Sequence, residues 1–211
     1  MKTILHSLSL STVLLFAAIF SVNTVMGQRI SATANLSSFN IKKSQSDVAD
    51  INYAGSTSAS LNLRYYTKSK WAFRVGAGID NLKYEVGGDN ALTTDYQARR
   101  QDIKGIIGLE KHFKIAMLDV YPGVYVPITR VGDDEIENAN LPTIRNNNYH
   151  AGLGVLLGTN IKLLKIMRVG VEVDAAYNNF KTAVWESAET LSFAPMKGIN
   201  FNTALTVGVA F

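Results

Sequence analysis

The residues with the chemistry to act in this chain are acids and bases that share one side of an alternating pattern. Arg64, Arg74, Arg100, Lys104 and Arg168 fall on the same parity as Asp80, Asp102, Glu110, Asp119, Glu172 and Asp174, within alternating runs whose other parity is aliphatic in several strands. Side chains at i, i+2 and i+4 of a strand project to one face. A sheet built from these runs therefore gathers the charges on one side. Enclosed charges are costly to leave unpaired, and here bases and acids nearly balance. The first chemistry they imply is a salt-bridge network, with Glu172 and Asp174 set against arginines of neighbouring strands. The second is an ion path whose selectivity the same charges would set.

Other groups carry weaker signals. His150 shares the charged parity beside Gly152, but His150-Ala151-Gly152 supplies no serine, and no carboxylate is placed by sequence to orient the ring. A hydrogen-bonded histidine is expected there, and no catalytic residue is assigned. Gly152-Leu153-Gly154-Val155-Leu156-Leu157-Gly158 superficially resembles a phosphate loop. Its glycines share one parity and open no helix, so close packing explains them better. Asp133-Asp134-Glu135-Ile136-Glu137 lacks the ligand spacing and central glycine of a calcium loop and reads as a solvated acidic run. Cysteine is absent, which removes disulfides, thiolate metal sites and a lipidated cysteine. No metal or cofactor is expected. The formal net charge of +4 is too mild and dispersed to imply nucleic acid.

The elements that must position these residues are strands. Period-two segments bounded by turn-forming clusters recur along the chain, about eight in all. They lie near Arg29 to Asn40, Ser56 to Tyr66, Trp71 to Tyr84, Tyr96 to Lys111, Ile115 to Thr129, Tyr149 to Thr159, Arg168 to Phe180 and Gly198 to Phe211. Connections after the second, fourth and sixth are short; those after the first, third, fifth and seventh are longer. Short turns at one end and long loops at the other are the pattern of an outer-membrane barrel. Pro122 and Pro127 sit on opposite parities of the fifth segment, so a bulge or early strand end is expected near Pro127.

Polarity then assigns the faces. Leu61, Leu63, Tyr65, Trp71, Phe73, Val75, Ile79, Val169, Val171, Val173, Leu205, Val207 and Val209 form one parity; the charges share the other with Gly76, Gly78, Gly108, Gly123, Gly154, Gly158, Gly170 and Gly208. Glycine weakens a solvent-facing strand by ~0.5–1 kcal/mol relative to alanine, whereas a narrow barrel needs small residues beside its large inward ones. The glycine parity is therefore placed in the lumen and the aliphatic parity against lipid. Tyr65, Tyr66, Trp71, Phe113 and Phe211 are expected to girdle the periplasmic end, and Tyr84, Tyr149 and Tyr177 the external end. His112 is expected as an interfacial residue in a periplasmic turn.

The start of the chain fits export. Lys2 precedes the apolar run Val13 to Phe20, and Val25 and Gly27 stand at minus three and minus one for cleavage before Gln28. The expected organisation is a signal peptide over residues 1–27 and one domain over 28–211. That domain is all-β: an eight-stranded antiparallel up-and-down transmembrane barrel, integral to a bacterial outer membrane. With its signal, its alternating loop lengths and a last strand ending in Phe211, the chain resembles the small outer-membrane barrels grouped around OmpX, OmpA and PorT. Gln28 after the cleavage site looks most like the PorT-type barrels of Bacteroidota.

That resemblance implies insertion by the barrel assembly machinery, with Phe211 as assembly signal, in contact with outer-membrane lipid and lipopolysaccharide. It also implies a possible role beside an envelope secretion system. Some barrels of this size modify lipid A with a rim histidine and serine, which makes His150 the residue to test for that less favoured activity. The scattered bases Lys42, Lys43, Arg130, Arg145, Lys181 and Lys197 suit lipid phosphates at the rim. The last external connection holds Val184, Trp185, Leu191 and Phe193 and could extend the final two strands as an apolar hairpin, open to an envelope partner. The reading is a non-enzymatic barrel with a plugged lumen and a structural, docking or adhesion role. A small passive pore is the alternative.

Overall fold

The structure is a computed structural model. It describes residues 30–41, 44–45, 50–53, 56–87, 96–137, 142–146, 148–163, 166–185 and 191–210. The expected signal peptide and Phe211 lie outside the described residues. The strands are β1 (Ile30–Ile41), β2 (Ser44–Gln45), β3 (Asp50–Tyr53), β4 (Ser56–Tyr66), β5 (Trp71–Gly87), β6 (Tyr96–Lys111), β7 (Phe113–Ile115), β8 (Leu118–Arg130), β9 (Asp134–Ile136), β10 (Tyr149–Leu163), β11 (Met167–Trp185) and β12 (Leu191–Ala210).

Eight long strands close on themselves. Antiparallel ladders run β1–β4, β4–β5, β5–β6, β6–β8, β8–β10, β10–β11 and β11–β12, and the pairing of β1 with β12 completes the circuit. Closure leaves no open edge along the wall. Neither the expected bulge nor an early strand end occurs near Pro127, and β8 runs on to Arg130. The β6–β8 register continues through Ile106↔Pro127, and β8–β10 resumes with Gly154↔Tyr125 in the same register as Ala151↔Ile128. The missing donor is accommodated by a short gap in the β8–β10 ladder, not by an extra residue.

Alternation sets the two faces. Leu63, Phe73, Val75, Ile107, Val124, Leu153, Val155, Val171 and Leu205 are exposed, while Asn62, Arg64, Arg74, Glu110, Glu172 and Thr206 on the other parity are buried. A closed wall that turns aliphatic side chains outward and ionic ones inward is inside out for water and right for lipid. It is the surface of a membrane-spanning barrel.

Further along β5 and β6 the parity persists and the polarity inverts. Asn81, Lys83 and Glu85 now point outward, and Leu82, Tyr84 and Val86 are buried. On β6, Gln97, Arg99 and Gln101 face out while Tyr96 and Ala98 are enclosed. The outward groups pair across the strands, with Gln101 Nε2 donating to Asn81 Oδ1 at 2.9 Å and Gln97 Nε2 to Glu85 Oε1 at 2.8 Å. Ile79↔Ile103 is thus the last apolar pair and Asn81↔Gln101 the first polar one. From Trp71 to Ile79 the strand has the length a tilted crossing needs, ~9–11 residues. Beyond that line the hairpin is an external structure with its own core, into which Val131 and Ile144 also pack.

Several expected positions change. Tyr84 is 2 % exposed, inside that external core and not on a girdle. Tyr66 turns into the lumen, where its hydroxyl meets Ser31 and Arg168. Tyr65, Trp71, Phe113, Tyr149 and Tyr177 are exposed as girdle residues should be. Ile115 belongs to β7, a short hairpin with β8, so β8 begins at Leu118. The last external connection is mostly ladder: β11 and β12 stay paired to Trp185↔Leu191, passing Ala183↔Phe193. The side chains of Trp185, Leu191 and Phe193 lie outside what is described.

Candidate functional site

The centre of the lumen is a buried four-membered ion cluster. Arg64 on β4 places Nε 2.7 Å from Glu110 Oε2 and Nη2 3.0 Å from Glu172 Oε2. Arg74 on β5 places Nη1 3.2 Å from Glu110 Oε1 and 2.9 Å from Glu172 Oε1. Each carboxylate meets both guanidinium groups, and each guanidinium both carboxylates. Two further donors find neutral partners: Arg64 Nη1 donates to Thr33 Oγ1 at 2.6 Å and Arg74 Nε to Asn62 Oδ1 at 2.8 Å. Glu172 also accepts from Asn35 Nδ2 at 3.3 Å and from the Tyr121 hydroxyl at 3.2 Å. Such saturation is what lets charges persist out of water.

Below this cluster the lumen has a floor. His112 follows β6 directly and is 4 % exposed, which corrects its expected interfacial position. Its Nε2 lies 3.2 Å from Glu110 Oε2 and its Nδ1 3.1 Å from Asp119 Oδ2. The ring stacks on Tyr121 with centroids 4.9 Å apart and meets Tyr66 edge-on at 4.9 Å. Arg168 completes the layer, 3.2 Å from Asp119 Oδ2. Burial works against the imidazolium, but the hydrogen bonds and charges of Asp119 and Glu110 outweigh it and raise the His112 pKa.

Above the central cluster the expected network breaks into separate groups. Lys104 Nζ pairs with Asp80 Oδ1 at 2.6 Å and donates to Ser58 Oγ at 2.8 Å. Among the described residues Asp174 meets no arginine, contrary to expectation. It accepts from the Tyr125 hydroxyl in a short hydrogen bond and from Asn202 Nδ2 at 3.0 Å. The arginines of Glu172 come from β4 and β5 across the lumen, not from neighbouring strands. Arg100 and Asp102 lie at the external end, 2.9 Å apart, with Asp134 3.6 Å from Arg100.

The third external connection folds inward there. Asp134, read as part of a solvated run, is 0 % exposed; Asn146 Nδ2 donates to its Oδ2 at 2.8 Å, and burial raises its pKa. The Gly132 amide donates to Asp102 Oδ1 at 2.9 Å. β9 pairs with β6, which fixes this connection as a cap against the β5–β6 hairpin. Of the same run, Asp133, Glu135 and Glu137 remain at the surface.

His150 is half-buried and opposite Thr129 in register. Among the described residues no group of three acids or histidines could hold a metal ion. Tyr121, Tyr125, Asn35 and Asn146 are the partners that sequence reading missed. The signal for the tyrosines was present in the register. Gly158↔Tyr121 and Gly154↔Tyr125 pair directly, each aromatic ring lying over a glycine.

No family model and no curated protein matches the chain. Solved structures do. The outer membrane protein OprG of Pseudomonas aeruginosa superposes with a TM-score of 0.65 at 13 % identity, over 86 % of this chain and 95 % of that one. A major outer membrane protein of Thermus thermophilus gives 0.56 at 10 % identity over 86 % and 99 %. The outer membrane protein AlkL gives 0.54 at 17 % identity over 87 % and 90 %. The chain therefore has the fold of the small outer-membrane β-barrels.

Proposed function

We propose that this chain is an integral outer-membrane barrel whose lumen is closed by its own side chains, and which acts by docking or adhesion through its external end. It is a binding protein and not an enzyme. The observation that carries the reading is the cluster of Arg64, Arg74, Glu110 and Glu172, which ties β4, β5 and β6 to β11 across the barrel with every charge paired. A path for ions would have to break pairs that are buried on all sides. The external β5–β6 hairpin, capped by β9, gives the molecule a polar surface beyond the lipid for an envelope partner. Assistance to protein secretion, implied by the PorT-type resemblance, would use that same end. Delivery by the barrel assembly machinery through the carboxy-terminal strand belongs to this reading. Planar-bilayer recording of the refolded barrel tests the plug: no steps above background are expected. Reproducible steps would favour the passive pore.

A further inference from the structure

The final hairpin outruns the strand beside it. β11 pairs with β10 only as far as Gly152↔Asn178, yet its ladder with β12 continues to Trp185↔Leu191. The first residues of β10, Tyr149 to Ala151, pair with β8 alone. Among the described residues, Asn179 to Trp185 therefore have a ladder partner on one side only. At ~3.3 Å per residue that open edge is ~23 Å long.

The other side of the hairpin is different. β12 pairs with β1 as far as Ile41↔Asn200, and beyond that point β2 approaches it. Pro195 lies in the same stretch of β12. A proline fits inside a ladder where its missing N–H would point away from the partner strand. Pro195 faces Lys181 in register, so its bare nitrogen turns to the outer edge of β12 and removes a donor there. The alternation of an antiparallel ladder then fixes β11. Lys181, with Asn179, Ala183 and Trp185, turns its N–H and C=O to the outer edge. A row of unpaired backbone groups at alternate residues is a template for another strand. Asn179-Phe180-Lys181-Thr182-Ala183-Val184-Trp185 contains neither proline nor glycine and a single charge. The chain blunts one edge of its hairpin and leaves the other able to pair.

We infer that the outer edge of β11 from Asn179 to Trp185 takes up an extended segment of another polypeptide as an added antiparallel strand, about seven residues long, with an acidic residue to set against Lys181. This rests on the docking reading and names the class of partner. A second copy of the chain does not suit the edge. In the same membrane its β11 would point the same way, and a two-fold axis along the membrane normal would set identical backbone groups against one another. A segment of a different chain is free to run in the opposite direction.

The chain has no cysteine, so Glu186→Cys gives a single attachment point directly after Trp185. The refolded mature barrel, checked for its heat-dependent gel shift, is joined there by a disulfide to a peptide of alternating threonine and valine with a central glutamate, linked through an amino-terminal cysteine. Tethering holds the peptide at a roughly millimolar effective concentration. Amide hydrogen exchange is followed by NMR in detergent micelles. Before coupling, the amides of Asn179, Lys181, Ala183 and Trp185 should exchange freely, while those of Phe180, Thr182 and Val184 are protected by β12. The peptide should slow the first set by about tenfold or more, as a net hydrogen bond does, and a fully N-methylated twin should leave it unchanged. A first set already protected in the uncoupled barrel overturns the inference, because the edge is then taken. A first set that the peptide leaves fast, or that the N-methylated twin slows equally, overturns it as well. Failure at these amides with the gel shift intact strikes this edge alone and leaves docking through the β5–β6 hairpin standing. A sample with no gel shift removes the barrel itself, and the inference with it.

Discussion

Arg64 on β4 reaches across the lumen to Glu172 on β11, ending with Nη2 3.0 Å from Oε2, although their strands are not neighbours in the sheet. The pair binds two walls that backbone ladders join no more directly than through β1 and β12. Removing one carboxylate leaves two buried arginines sharing one acid. Breaking a buried pair from one side typically costs ~3–5 kcal/mol. Glu172→Gln is therefore expected to lower the urea midpoint of the heat-modifiable band by a corresponding margin. A midpoint equal to that of the parent would show that the cluster contributes nothing to holding the walls.

Much of the wall was legible because strand alternation reports the face of each residue directly. Leu63, Val75, Val171 and Leu205 are exposed and Arg64, Arg74 and Glu172 enclosed, as their parity requires. Parity does not say how far along the axis the lipid ends. Tyr84 was set on a girdle for that reason. The run Ile79-Asp80-Asn81-Leu82-Lys83-Tyr84-Glu85-Val86 contains the missing signal, an inversion of polarity at unchanged parity. Partners across the lumen are harder to read, since they depend on barrel radius and on which strands face one another. Glu172 and Asp174 look alike in sequence, yet one takes two arginines and the other a tyrosine and an asparagine.

The glycine–tyrosine pairs make a sharp comparison. A Cβ on Gly158 would stand 2.1 Å from Tyr121 Cζ, whereas one on outward-facing Gly105 would come no closer than 3.9 Å to the Ile128 carbonyl oxygen. Gly158→Ala must displace a ring that stacks on His112 and donates to Glu172. Overpacking of this kind costs ~1–3 kcal/mol. Gly105→Ala, lacking a clash, is expected to gain up to ~1 kcal/mol from reduced chain entropy. Urea midpoints moving in opposite directions would support this; equal midpoints would mean that Tyr121 is not held where it lies.

His112 gives a pH dependence with a defined sign. Its folded pKa is raised above the ordinary histidine value by Asp119 and Glu110, which outweigh its burial. The stabilisation is then fully present below about pH 6.5 and declines as pH rises through the folded value. The stability difference between the parent and His112→Gln should be largest below about pH 6.5 and shrink as the pH rises above it. Denaturation midpoints for both proteins across that range are the measurement. Parallel curves would mean that the imidazole is not charged between its two carboxylates.

The line between Ile79↔Ile103 and Asn81↔Gln101 is the most demanding test of the architecture, because it predicts unequal responses to one substitution on a single face of one strand. Val75 is 58 % exposed and lies midway along the apolar stretch of β5. In lipid, arginine there should cost ~2–4 kcal/mol, against ~0–1 kcal/mol at the interface. Asn81→Arg, already among Lys83, Gln101 and Glu85, should fall at the low end. Refolding each variant into vesicles and comparing unfolding free energies gives the two values. A soluble barrel would tolerate arginine equally well at both exposed sites. A steep difference between them can come only from a hydrocarbon layer that ends where the side chains change character.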